Sequence, residues 1–113
     1  MKKTAAAAFL LTACVAGSAV AQDLSLDAKR MLAYGTTAVM VGACDMPITA
    51  KQKERMNSGL AKYAEKQTEL TQADFAELMK AAGAQIGANK AEVCAQVLAM
   101  DVDVLLADAE QGK

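Results

Sequence analysis

The thirteen residues 40–52, MVGACDMPITAKQ, combine three signals that decide how this chain folds. An apolar run ends at Cys44, the only proline follows as Pro47, and Thr49 opens a segment rich in helix-forming residues. We therefore expect one helix to end near Cys44 and a second to begin after Thr49. The question is whether Cys44 is a nucleophile, a metal ligand or half of a disulfide.

The first 21 residues have the pattern of a secretory signal peptide. Two lysines follow the initial methionine, an alanine-rich apolar run comes next, and the sequence AVA at residues 19–21 is a small-x-small cleavage signal. A membrane span needs about twenty apolar residues, and this run is shorter. We expect residues 1–21 to be removed, leaving residues 22–113 as a single periplasmic or secreted domain without a transmembrane segment.

A competing pattern lies inside this leader. The sequence LTAC, which ends at Cys14, resembles the lipobox of bacterial lipoproteins, in which the cysteine is lipidated and becomes the N-terminus. Only ten residues separate Lys3 from Cys14, and the small apolar run continues to residue 21. Soluble export is therefore the preferred interpretation, and a lipoprotein anchored at Cys14 is the alternative.

The exported chain is small and mildly acidic. It has ninety-two residues, of which ten are basic and thirteen acidic, and it lacks both histidine and tryptophan. Without a basic excess, and with only Tyr34, Tyr63 and Phe75 as aromatic residues, it lacks the features of nucleic-acid binding. A domain of this size buries roughly 60–65% of its unfolded surface, so a covalent cross-link would add materially to its stability.

Start signals and apolar periodicity predict helices, and no segment alternates with the period of two that is typical of strands. The first helix spans Leu26–Ala43 with Ser25 as its N-cap. It is apolar on all sides near its end, which predicts a central position. The second helix begins after Thr49, because Thr49-x-x-Gln52 has the form of a capping box.

Two further helices follow from the same signals. Thr71-x-x-Asp74 is a second capping box, and Asn89 precedes an apolar pattern that predicts one helix from residue 90 to about residue 107. Short connections between helices of this length favour antiparallel neighbours. The sequence thus predicts an all-α fold: a compact domain of four helices that are mostly antiparallel.

Cys44 and Cys94 remain after the leader is removed, fifty residues apart. A nucleophilic cysteine needs a base, and the chain has no histidine. A zinc site needs about four ligands, which two isolated thiols do not supply. One intramolecular pairing is available in an exported protein, so we predict a Cys44–Cys94 disulfide. An intermolecular or redox-labile pair is the alternative.

The residue types also argue against most enzymes. There is no histidine, no glycine-rich phosphate loop and no pair of carboxylates in a recognisable catalytic motif. We expect no enzymatic activity, cofactor or metal. The preferred function is contact with another protein, as an inhibitor, an immunity-type protein or an accessory subunit. The partner is unidentified, and a homo-oligomer is left open.

Two aspartates are candidate pH sensors. On the predicted fourth helix Asp101 falls within the apolar arc, and Asp108 lies one heptad further along the same line. A buried carboxylate must be paired, hydrogen-bonded or protonated, so Asp101 would be neutral in acid and disruptive when charged. The alternative is an aspartate that is paired or solvated.

The uneven distribution of charged residues along the chain gives a second candidate site. The second helix is mostly basic, and Lys51 and Arg55 belong to it, whereas Asp103 and Glu110 belong to an acidic chain end. The functional interpretation is an acidic docking patch for a basic partner, or head-to-tail self-association. The alternative is an ordinary surface in which the acidic end lies against the second helix.

The size, the export signal and the cysteines Cys44 and Cys94 about fifty residues apart resemble small periplasmic acid-stress chaperones. The resemblance is architectural and carries no residue roles. It implies a pH-responsive stress chaperone as the alternative function. A small-ligand or lipid carrier is the second alternative, and it would need a cavity between the helices.

Overall fold

The computed structural model describes residues 24–113, and the predictions made for residues 1–21 lie outside this range. The described chain forms five helices, which are α1 (Leu26–Ala43), α2 (Ala50–Lys66), α3 (Gln72–Ala88), α4 (Lys90–Val97) and α5 (Val102–Glu110). No strand occurs between residues 24 and 113. The predicted all-α class is therefore confirmed.

The first three helices begin where their capping residues predict. Ser25 caps α1 through its side chain. Thr49 and Gln52 exchange two hydrogen bonds of 2.9 and 3.0 Å across the first turn of α2. Thr71 and Asp74 form the same reciprocal pair at the start of α3. Each pair satisfies two backbone amides that a helix start otherwise leaves unpaired.

A tight turn ends α1 and redirects the chain into α2. Asp45 adopts the left-handed conformation, with φ of 51°, which aspartate tolerates better than most residues. The N–H of Met46 donates to the carbonyl of Val41 at 3.0 Å, which is the outer hydrogen bond of a Schellman motif. Met46 is itself buried, so the turn is held by packing as well as by hydrogen bonding.

Helix α1 lies at the centre of the domain, because α2, α3 and α5 all pack against it and α4 contacts it as well. Gly35 lets α3 approach closely: a Cβ here would lie 2.6 Å from Phe75 Cζ and 2.8 Å from Met79 Sδ. Further along, Gly83 of α3 lies opposite Val39. Between these two contacts the residue numbers increase in the same direction along both helices, so α3 runs parallel to α1.

Helix α5 runs back along α1 toward its beginning. Its first turn contacts the start of α2, since Gln52 donates to Asp103. Its end is a Schellman motif, in which Lys113 N–H donates to the carbonyl of Asp108 at 2.9 Å. Gly112, with φ of +80°, supplies the left-handed residue. It lies beside Leu26, so a side chain at position 112 would meet the start of α1.

The prediction of one continuous fourth helix is wrong. Helix α4 ends at Val97, and Met100 N–H donates back to the carbonyl of Val97 at 3.0 Å in the following turn. Asp101 then caps α5, with its Oδ1 accepting the N–H of Asp103 at 2.9 Å. An aspartate side chain competes for backbone amides and is favoured at N-caps, which an apolar pattern does not reveal. Residues 24–113 therefore form five helices rather than four.

Cys44 and Cys94 form the predicted disulfide, with their Cα atoms 5.2 Å apart. Both cysteines are buried, and the bond joins the end of α1 to α4. The covalent loop, residues 44–94, includes α2 and α3 but excludes α5. Apart from its peptide connection to α4, helix α5 is therefore held on the domain by non-covalent contacts.

Candidate functional site

Helix α5 lies beside α2, and acidic residues of α5 face basic residues of α2 that have the same spacing. Asp103 and Glu110 are seven residues apart on α5, and Arg55 and Lys62 are seven apart on α2. Seven residues are about two helical turns, so each pair lies on one face of its helix. Asp103 Oδ1 lies 3.8 Å from the Arg55 guanidinium and accepts a hydrogen bond from Gln52 Nε2 at 3.1 Å.

At the other end of this contact, Glu110 binds α1 and α2 together. Tyr34 Oη donates to its carboxylate at 3.0 Å, and Tyr63 Oη donates to both carboxylate oxygens at 2.9 Å. The backbone carbonyl of Glu110 accepts a 2.7 Å hydrogen bond from Arg30 Nε. We refer to Glu110, Tyr34, Tyr63 and Arg30 as the Glu110 cluster.

The two tyrosines of this cluster are only 3% and 4% exposed, and their rings stack with centroids 6.0 Å apart. Buried tyrosine hydroxyls need a hydrogen-bonding partner, which the carboxylate of Glu110 supplies. Two cations lie over the ring of Tyr63: the Arg30 guanidinium is 5.3 Å and the Lys62 ammonium 5.1 Å from its centroid. The cluster therefore combines hydrogen bonds with cation–π contacts.

The cluster favours an ionised carboxylate. Burial raises the pKa of Glu110, but the hydrogen bonds from Tyr63 and Tyr34 lower it. The charges of Lys62 and Arg30 also lower it, and the resulting pKa lies below the ordinary value of 4.5. Burial, and then the hydrogen bond to Glu110, raises the pKa of Tyr34 to about 12. At neutral pH the tyrosine keeps its proton and the glutamate is charged.

The other predicted site residues lie outside this cluster. Asp101 is exposed and caps α5, so the burial on which its pH-sensor hypothesis depended does not occur. Asp108 is half-buried on α5, and Lys51 is exposed in the first turn of α2. Asp103 and Glu110 both contact α2 of the same chain, which is the arrangement that the alternative to a docking patch described.

The tyrosine partners of Glu110 were not predicted from sequence. Tyr63 continues the apolar spacing of Met56 and Leu60 on α2, and Tyr34 lies in a helix expected to be central, so both hydroxyls needed a partner. That need is the only signal in the sequence, and it does not identify Glu110, which lies 76 residues from Tyr34 and 47 from Tyr63.

Gly59 gives a test of how closely α1 and α2 must approach at this cluster. A Cβ at position 59 would lie 2.7 Å from Tyr34 Cε2 and closer still to two other ring atoms. We expect Gly59→Ala to lower the free energy of unfolding by about 1–3 kcal/mol, because the buried ring of Tyr34 must shift from its packed position. Urea unfolding at neutral pH measures this change.

Gly42 is the matched control, since nothing lies within 4 Å of a Cβ built there and the residue is exposed. Replacing a helical glycine with alanine at an open position is expected to stabilise by roughly 0.5–1 kcal/mol. Opposite signs for Gly59→Ala and Gly42→Ala support the close packing of Tyr34. A stabilising effect of both substitutions would contradict it.

Two large apolar side chains near the α4–α5 connection remain exposed. Leu98, which caps the end of α4, is 50% exposed, and Val104 on the outer face of α5 is 55% exposed. Asp101 is exposed between them in the chain. A third, Leu26, is 49% exposed at the start of α1, beside Gly112.

Within residues 24–113, no three acidic or cysteine side chains are grouped so that they could hold a metal ion. None of the helices in this range is both long and apolar enough to cross a lipid bilayer. Comparison of the chain with protein-family models, with curated proteins and with solved structures found no match.

Proposed function

We propose that the chain is a small exported, non-enzymatic helical protein that acts by contact with another protein. An inhibitor, an immunity-type protein and an accessory subunit all fit this class. The observation that carries the proposal is the exposure of Leu98 and Val104 near the α4–α5 connection, where two of the three exposed large apolar side chains of the described residues lie. Covering such residues with a partner removes apolar surface from water, which is favourable.

The surroundings of these residues support a mixed apolar and polar contact. Single exposed apolar residues are common on protein surfaces, but Leu98 and Val104 are each three residues from the exposed Asp101 in the chain. Interfaces commonly combine an apolar centre with a polar rim. The proposed contact surface is therefore the α4–α5 connection together with the outer face of α5.

Export is part of the proposal, to the periplasm or out of the cell. The pattern of residues 1–21 supports a cleaved leader, and the Cys44–Cys94 disulfide supports an oxidising compartment. A lipoprotein anchored at Cys14 is the alternative, and it would present the same folded domain at a membrane surface.

Affinity capture from periplasmic extract tests the proposed contact, with immobilised residues 22–113 as bait. We expect a protein that is retained by the wild type and lost with Leu98→Ser/Val104→Ser. Leu26→Ser is the matched control, because Leu26 is equally exposed but lies at the start of α1. Capture that is unaffected by the double substitution, or no specific capture, would contradict the proposal.

A pH-responsive stress chaperone is the second candidate, and the Glu110 cluster favours it. This cluster attaches α5 through a carboxylate, and carboxylates lose their charge in acid. A chaperone should bind a hydrophobic dye at acid pH and suppress the aggregation of an acid-denatured client. A protein that stays dye-negative at acid pH would not be one.

A further inference from the structure

Helix α5 differs from the rest of the domain in how it is held. It begins after Cys94, so the disulfide places no constraint on it. At nine residues it is too short to be stable alone in water, because isolated helices need about 12–15 residues. Its buried apolar residues are Val102, Leu106 and Ala109, and the partly buried Leu105 also packs against the core. When α5 leaves α1 it should therefore also unfold.

Apart from the hydrogen bond that Arg30 Nε donates to the backbone carbonyl of Glu110, the polar contacts that attach α5 depend on carboxylates facing α1 and α2. Glu110 accepts from Tyr34 and Tyr63, and Asp103 is close to Arg55. The charged groups that face Glu110 are Arg30 on α1 and Lys62 on α2. Three cations thus lie opposite two carboxylates.

The balance of charge on this face changes in only one direction as the pH falls. Arginine and lysine side chains stay charged in acid, whereas a glutamate such as Glu110 loses its charge when it is protonated. Arg30 also pairs with an acidic residue of its own helix, Asp27, at 3.2 Å. Protonation of Glu110 therefore weakens the attachment of α5.

We propose that acid detaches α5 from α1 and α2 while the disulfide-linked helices α1–α4 stay folded, and that protonation of Glu110 is the trigger. Detachment uncovers the buried face of α5 and the two stacked tyrosines. The event belongs to this chain alone and requires neither a partner nor a client. It gives the second candidate function a mechanism, yet it holds or fails independently of chaperone activity.

The pH range follows from the sign of the shift at Glu110. A carboxyl group whose pKa is lower in the folded protein contributes stability that is complete above its unfolded value of 4.5. That contribution decreases as the pH falls through the lower pKa of the folded state. Detachment is therefore expected below pH 4.5, while the neutral-pH form keeps α5 in place.

Hydrogen-exchange protection factors, which correct for the intrinsic effect of pH, test the proposal on oxidised residues 22–113. Between pH 6 and pH 3 we expect protection of the α5 amides to fall about tenfold more than that of the α1 amides, as expected when charge-assisted hydrogen bonds are lost. E110Q should already show the reduced α5 protection at pH 6. Asp108→Asn removes a charge from the same helix outside the cluster and should match the wild type.

Tyr63→Phe provides a second variant, since it keeps the carboxylate but removes one donor. Its α5 protection should be lower than that of the wild type at pH 6 and should fall by less between pH 6 and pH 3, because one interaction that lowers the pKa of Glu110 is gone and less pH-dependent stability remains to be lost. Equal loss of protection in α1 and α5 would overturn the proposal. So would an unchanged pH profile of α5 in both E110Q and Tyr63→Phe.

Discussion

Replacing both Cys44 and Cys94 with alanine is expected to lower the free energy of unfolding by about 4 kcal/mol. The disulfide closes a loop with a sequence separation of 50, and the loss of this closure frees the unfolded chain far more than the folded one. A domain of this size has a net stability of only about 5–10 kcal/mol. The variant should therefore be close to unfolding at physiological temperature.

Urea unfolding of the oxidised wild type and of Cys44→Ala/Cys94→Ala measures this change. The wild type in excess reductant is the control, because it loses the cross-link without any change of sequence and should lose most of the same stability. If the oxidised wild type and Cys44→Ala/Cys94→Ala differ by less than about 1 kcal/mol in free energy of unfolding, the disulfide does not have the stabilising role assigned to it. So small a difference would mean that the cross-link hardly restricts the unfolded chain.

Truncation of Glu110 to alanine is expected to lower the free energy of unfolding by about 2–4 kcal/mol at pH 7, because two buried hydroxyls lose their acceptor. Tyr34 and Tyr63 both donate to this carboxylate and are almost fully buried. The partial exposure of Glu110 itself limits the effect, since water can reach part of the site. Thermal or urea unfolding of Glu110→Ala measures the loss.

The pH dependence distinguishes this interaction from packing. In acid the wild-type carboxyl becomes protonated and loses its charge, so the difference between wild type and Glu110→Ala should be smaller at pH 3 than at pH 7. Asp108→Ala is the control on the same helix, where a change within about 0.5 kcal/mol is expected. A difference between wild type and Glu110→Ala that does not vary with pH would show that side-chain packing, rather than the charge, is responsible.

The N-terminal two-thirds of the fold was predictable because its signals are local. A capping box such as Thr49-x-x-Gln52 acts within one helical turn, so its effect is visible in four consecutive residues. The turn after Cys44 is likewise formed by hydrogen bonds between residues that are close in the chain. The Cys44–Cys94 pairing was predictable for a different reason: without the cysteine of the predicted leader, it is the only intramolecular pairing available.

The break between α4 and α5 could not be predicted from apolar periodicity. Val97, Leu98, Val104 and Leu105 continue the pattern across residues 98–101, which favours one helix. In the folded chain Asp101 caps a new helix instead, and two of these four residues, Leu98 and Val104, are exposed. Whether an aspartate ends one helix or is buried within another depends on what surrounds it, and neighbouring residues in the chain do not specify that.

The sequence by itself determined the helical class, the start of the first three helices and the single cross-link, because each depends on local hydrogen bonding or on elimination. Only the tertiary structure decided what the acidic end does. It brings Glu110 to Tyr34 and Tyr63 across 76 and 47 residues, and Asp103 to α2. Such contacts depend on the directions in which helices pack, and those directions arise from burial summed over the whole core rather than from any one segment.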